Sequence, residues 1–271
     1  MPKLPKLPAP PLPSALQAPP PRPGERNGKP RGPIEEAQNA GITVVDWVDE
    51  RTSLSGAARW MMFRKVPKGT NWFYTLGSAT MFAFLSQAVT GVFLAMYYRP
   101  DPAGGAYESI RHVTNEVFLG QFVRGMHKWG SSVMVILVFL HMGRTFFFGA
   151  YKYPRELNWV IGVVLLILTM VMSFTGYLLP FDQRAYWATI VGVNINGTGP
   201  LIGPYLSDFL RGGSEFGATT LSRFYAIHML LVPGLIAALI GAHLYLVAKL
   251  GTTAPPWAKV EKPAELRESE I

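Results

Sequence analysis

The sequence contains no cysteine. Disulfides, thiolate metal sites, thiol nucleophiles and covalent attachment of a c-type haem through a CxxCH motif are therefore excluded. Charge is scarce as well. Asp, Glu, Lys and Arg make up 15% of the 271 residues, and the long apolar runs hold no acidic residue. A secretory signal is also missing, because residues 1–41 lack the apolar core of roughly 7–15 residues that such a signal needs. They are Pro-rich instead, with "PKLPKLPAPPLP" and "APPPRPG". That composition buries too little apolar surface to fold and reads as a solvated, polyproline-like or disordered tail.

What is abundant is apolar sequence, 49% of residues with a mean hydropathy of +0.20. It is gathered into four runs, A (73–98), B (131–148), C (159–179) and D (227–250). Each approaches the roughly 20 residues needed to cross a bilayer. The net charge of +8 raises the question of nucleic acid, but no folded basic domain is present to hold it, and no nucleic-acid partner is expected. In a membrane chain, basic residues mark the cytoplasmic side. Arg59, Arg64, Lys65 and Lys68 precede A, Arg144, Lys152 and Arg155 lie between B and C, and Lys249 and Lys259 follow D. Four spans put all of these on one side, so both termini are expected in the cytoplasm of a bacterial inner membrane. The long A–B and C–D loops then face the electropositive compartment, where a partner would dock.

The fold class expected is an all-α membrane protein with four organisational parts. After the tail, 42–70 is an amphipathic segment on the lipid surface, with Trp47 and Trp60 as interfacial anchors. Residues 71–250 form a four-helix transmembrane bundle, and 251–271 are a polar tail. Within the C–D segment (180–222), "PFDQRAYWATIV" reads as a short helix lying along the membrane.

Four of the five histidines fall in spans: His127 and His141 in B, His228 and His243 in D. His112 is a loop residue. Intervals of fourteen and fifteen residues return a helix to within about 40° and 60° of the same face, about 21–22 Å along its axis. B and D run the same way across the bilayer, so His127 and His228 share an outer level and His141 and His243 an inner one. Two imidazoles at one depth suit haem iron, which takes two axial ligands in an apolar slot. Zinc would need further donors. The competing reading is a pair of isolated interhelical hydrogen bonds.

A flat ring between helices needs neighbours without side chains at its face. Gly77 and Gly91 in A, and Gly162 and Gly176 in C, repeat the fourteen-residue interval. Helix packing through small residues explains any one of them but not the shared period. Arg124 and Arg144 lie just outside the two levels, where haem propionates need cations, and Arg223 is placed to serve the outer haem.

On these residues the chain resembles cytochrome b, most closely the short b6-type subunit of cytochrome bc and b6f complexes. The resemblance runs over about 44–255 and is carried by "VVDWVDER", "QAVTG" with "YYRP", "VRGMHKWGSS", "YPRELNWVIGV", "TGYLLPFDQRAYWA" and "LSRFYAIHMLLVP". It implies two stacked, non-covalent b-type haems, a low-potential one on His127 and His228 and a high-potential one on His141 and His243. It implies quinol oxidation at the electropositive face, electron transfer across the membrane to quinone, and proton translocation. The implied partners are a Rieske iron–sulfur protein, a c-type cytochrome, membrane lipid and a second copy of the complex. Phe174, Tyr177, Ala188 and Val191 match quinol-pocket positions of the family. The family's Pro-Glu-Trp-Tyr motif is absent, which implies a separate three-helix subunit for the other half of the pocket. Thr75 stands where chloroplast and cyanobacterial b6 proteins carry a haem-bearing cysteine, so no covalent haem is expected. Ala248 replaces an arginine of those proteins. The alternatives are a di-haem membrane anchor of a quinone-linked dehydrogenase or hydrogenase, against which the long C–D segment argues, and a non-redox membrane scaffold.

Overall fold

The computed structural model describes residues 41, 44, 46–52 and 67–258. The chain divides into two units, 1–65 and 66–271. In the first, 46–52 is helical, and the Arg51 guanidinium lies 4.2 Å over the exposed Trp47 ring while donating to the Trp47 carbonyl. Of the tails expected at 1–41 and 251–271, residues 1–40 and 259–271 lie outside the described residues, as does Trp60.

In the second unit the Asn71 side chain accepts from the Phe73 amide and opens a 3₁₀ turn, Trp72–Thr75, that leads into α1, Leu76–Ala95. Then follow α2 (Gly105–Asn115), α3 (Gly120–Phe147), α4 (Glu156–Leu178), α5 (Gln183–Gly197), α6 (Gly203–Arg211) and α7 (Ala218–Ala226). A π turn, Ile227–Leu231, joins α7 to α8 (Val232–Leu250). Among the described residues, four helical stretches are long and apolar enough to cross a membrane: Trp72–Ala95, Gly120–Phe147, Glu156–Leu178 and Ala218–Leu250. They correspond to A, B, C and D, and the chain is a multi-pass membrane protein. B and D start earlier than their apolar runs, at 120 and 218, because their first turns carry polar residues that hydropathy discounts but a helix accepts.

The loop expected between A and B contains a helix. In α2, Ala106, Ser109 and Val113 form a buried stripe at helical spacing, and Glu108 pairs with Arg111 on the opposite, exposed side. The "PFDQRAYWATIV" segment is α5. Its N-cap is Asp182, whose side chain accepts from the Ala185 amide at 2.8 Å.

The π turn has an identifiable origin. Pro233 offers no N–H to the helix ladder, and the Val232 amide reaches back five residues to the Ile227 carbonyl. Such a turn takes up one extra residue. The fifteen-residue interval between His228 and His243 therefore behaves much like the fourteen of B, and the two histidine pairs come into register.

The closest-packed region lies among the loop helices. Ala106, Leu178, Val193, Leu210, Leu221 and Phe224 form a buried cluster, edged by Tyr98, Phe174 and Phe181. The Tyr98 hydroxyl donates to the Leu179 carbonyl at 2.6 Å, and its ring lies 5.3 Å from that of Tyr225. Burial, then the nearby Tyr225, raises the Tyr98 phenol well above its ordinary range. This cap fastens the ends of α1, α4 and α7 on the face of the A–B and C–D loops. At the other end Arg155 donates to the Leu250 and Gly251 carbonyls at the foot of α8.

The spans themselves are thinly covered. At most 11% of the most apolar window of any of them is buried by the chain. α1 packs chiefly on α3 and α8 on α4, while α3 with α8 is not among the main helix contacts. A smaller contact between α3 and α4 joins the two helix pairs.

Candidate haem sites

Histidines from the two helix pairs face each other. The His127 and His228 rings have centres 6.4 Å apart at an interplanar angle of 75°. Those of His141 and His243 are 6.4 Å apart at 77°. No hydrogen bond joins the two rings of either pair among the described residues, so a bond between the facing histidines does not account for them. The spacing instead suits one metal between two imidazoles. Two metal–nitrogen bonds of about 2 Å, plus about 1 Å from each nitrogen to its ring centre, give about 6 Å. Among the described residues no group of three or more His, Cys, Asp or Glu could hold an ion. Two donors per level therefore fit a metal whose other positions come from a macrocycle, and haem meets that requirement.

The surroundings of the Nδ1 atoms differ between levels. At the outer level His127 Nδ1 lies 2.9 Å from Thr90 Oγ1, and His228 Nδ1 lies 3.2 Å from Thr175 Oγ1 and 3.1 Å from the Met172 carbonyl. At the inner level the buried Nδ1 atoms of His141 and His243 have no hydrogen-bond partner. The two threonines were missed at the sequence level. The available signal was their position, each immediately before a glycine of the fourteen-residue repeat.

All four glycines lie against histidines. A Cβ on Gly77 would meet His141 Cε1 at 3.1 Å, one on Gly91 would meet His127 Cε1 at 3.2 Å, and one on Gly176 would crowd His228, with Nδ1 at 3.0 Å. Gly162 is looser, 3.9 Å from His243 Cε1. The sequence reading gave these glycines the task of clearing space for a flat ligand. In the structure the group nearest to them is the imidazole itself, so α1 seats the histidines of α3, and α4 seats His228 of the π turn and His243 of α8.

The arginines separate. Arg144 lies beside the inner pair on α3, its Cζ 3.9 Å over the Tyr74 ring and 5.5 Å over Phe148, with a buried Nε that has no partner. Arg124 is half-buried. Arg223 is engaged elsewhere: its Nη1 donates to the Phe209 carbonyl and its Cζ lies over the Phe209 ring. The four quinol-pocket positions also divide. Phe174 is packed into the cap, 5.5 Å from the Phe224 ring and under Gly192. Tyr177, Ala188 and Val191 are exposed, and the last two continue with Trp187 and Ile195 as an open apolar face of α5. Thr75 donates to the Trp72 carbonyl at 2.7 Å.

Comparison with known proteins gives consistent findings. The family described as cytochrome b/b6/petB matches residues 61–251. A cytochrome b6 of Heliobacterium modesticaldum is 42% identical over 213 residues, 78% of this chain and all of that protein. A menaquinol:cytochrome c reductase cytochrome b subunit of Geobacillus thermodenitrificans is 43% identical over 220 residues, 78% of this chain and 98% of that protein. Among solved structures, a chain of a hyperthermophilic respiratory Complex III superposes with a TM-score of 0.72 at 30% identity, covering 83% of this chain and 63% of that one.

Proposed function

The chain belongs to the cytochrome b family, and we propose that it is the di-haem electron-transfer subunit of a quinol:cytochrome c, or plastocyanin-type, oxidoreductase. It is active within a complex rather than alone. The observation that carries this reading is the pair of facing imidazoles at each of two levels, with matched spacing of 6.4 Å. When bound, two non-covalent b-type haems supply one-electron carriers at two depths, between quinol oxidation at the electropositive face and quinone reduction near the cytoplasmic face. His127 and His228 would hold the outer haem, and His141 and His243 the inner one. Gly77, Gly91, Gly162 and Gly176 keep the imidazoles seated. Arg144, with its unpartnered Nε, and Arg124 offer cations to propionates, whereas Arg223 is drawn toward Phe209 and is the weakest of the three for that role.

At the electropositive face, Tyr177, Ala188 and Val191 present an open wall to quinol, and Phe174 props that wall from the cap. The opposite wall is supplied by a separate three-helix subunit. A Rieske iron–sulfur protein and a c-type cytochrome accept the electrons that leave on this side, and protons are released there and taken up in the cytoplasm. The basic residues before A, between B and C and after D support a reading with both termini in the cytoplasm of a bacterial inner membrane. The relatives named above are reductase and b6 subunits, which favours this reading over a dehydrogenase or hydrogenase anchor.

The test is purification of the detergent-solubilised complex through the full chain. The expected result is two b haems per chain in the dithionite-reduced spectrum, with a Rieske protein and a three-helix subunit in the same fraction and quinol-dependent reduction of cytochrome c. A preparation without b-type absorption sinks the haem assignment. Copurification of a flavin dehydrogenase in place of the Rieske protein sinks the reductase.

A further inference from the structure

The residue before each glycine differs between levels. It is Thr90 before Gly91 and Thr175 before Gly176 at the outer level. Fourteen residues away on the same helices it is Leu76 before Gly77 and Ile161 before Gly162. Each threonine hydroxyl has one proton, and that proton is directed at its own helix: Thr90 Oγ1 donates to the Ser86 carbonyl at 2.7 Å, and Thr175 Oγ1 to the Val171 carbonyl at 2.9 Å. What remains to the hydroxyl oxygens is to accept. The contacts with His127 and His228 therefore run from Nδ1–H to Oγ1, and the Met172 carbonyl, which can only accept, shares the His228 proton. Both outer imidazoles are fixed as Nδ1–H tautomers with Nε2 left for iron. His141 Nδ1 and His243 Nδ1 are buried without a hydrogen-bond partner.

An imidazole that donates its second N–H is the more basic ligand, which favours ferric over ferrous iron, and hydrogen bonding of this kind is one of the protein's levers on haem potential. We propose that Thr90 and Thr175 are positioning residues that make the outer haem the harder of the two to reduce, so that the downhill direction of electron transfer is written in the residue preceding each glycine. The proposal rests on the haem ligation given above. It ties the order of the two potentials to four named side chains.

The experiment is a potentiometric titration of the purified complex carrying the full chain, read optically and by EPR. The double variant Thr90→Val, Thr175→Val is expected to raise the lower-potential component, with the higher one unmoved. The expected size is up to about tenfold in the reduction equilibrium, or 59 mV for one electron. Either single variant should give a smaller rise than the double one, because each alters the setting of one axial ligand only. Serine at both positions should restore the native value. The converse change, Ile161→Thr, should lower the higher component, and it carries the test should the valine variants lose haem. Movement of the higher component in the valine variants, equal movement of both, or no movement in either direction of substitution overturns the proposal. A native complex without two b-type components overturns the ligation on which it stands, a result distinguishable from the others.

Discussion

The outer and inner histidine levels use the same ring geometry in different settings. The ring centres agree at 6.4 Å and the interplanar angles differ by only two degrees. Yet the outer rings are tied by threonine hydroxyls and a carbonyl, while the inner rings have free Nδ1 atoms and a neighbouring arginine. The outer level also borders the close-packed cap, and His228 is the buried histidine of the four. The ring geometry is thus duplicated, and the surroundings of the two levels differ.

The largest test of this comparison is removal of one ligand at each level. His228→Leu should reduce bound haem from two to about one per chain and abolish quinol-dependent cytochrome c reduction. His243→Leu should likewise leave one haem, but the outer one, and a pyridine haemochrome assay with a redox titration tells which component survives. Next comes the contrast of glycines. Gly176→Ala drives a methyl into the His228 ring and should lose most of the outer haem. Gly162→Ala meets His243 only at ordinary contact distance, should retain both haems, and gains helix propensity of up to about 1 kcal/mol. Equal haem loss in both variants would break the distinction. A smaller effect is expected from Arg144→Leu. Removing the cation beside the inner pair should lower the inner potential and leave the outer one in place, and retention of the native inner potential would sink that role. The smallest is Tyr98→Phe in the cap, where loss of the hydrogen bond to Leu179 should cost about 1 kcal/mol. Its readout is a modest fall in the thermal midpoint of the complex, with both potentials unchanged.

Much of this was legible in the sequence for a physical reason. Intervals of fourteen and fifteen are fixed by helical geometry, so the facing of His127 with His228 and of His141 with His243 needed only the topology. The spans followed from apolar length. What escaped notice lacks a one-dimensional signature. The π turn at Ile227–Leu231 is a shift of one hydrogen-bond register, visible in sequence only as Pro233. α2 is a short amphipathic helix whose stripe of Ala106, Ser109 and Val113 is too small for a hydropathy average to reveal. Thr90 and Thr175 read as ordinary back-bonding threonines until the facing helix brings a histidine to their free lone pairs. Arg223 had the right sequence distance from His228, but the fold offered it the Phe209 carbonyl instead.

The thin coverage of the spans bears on how such a protein is made. So little of each apolar window is buried by its own chain that the folded state of the complex proposed above draws on more than one polypeptide. Lipid, prosthetic groups and neighbouring subunits supply the contacts that a soluble protein draws from its core. Stability is then linked by mass action to the supply of those components, and the amount of folded chain in a cell becomes a measure of the scarcest of them.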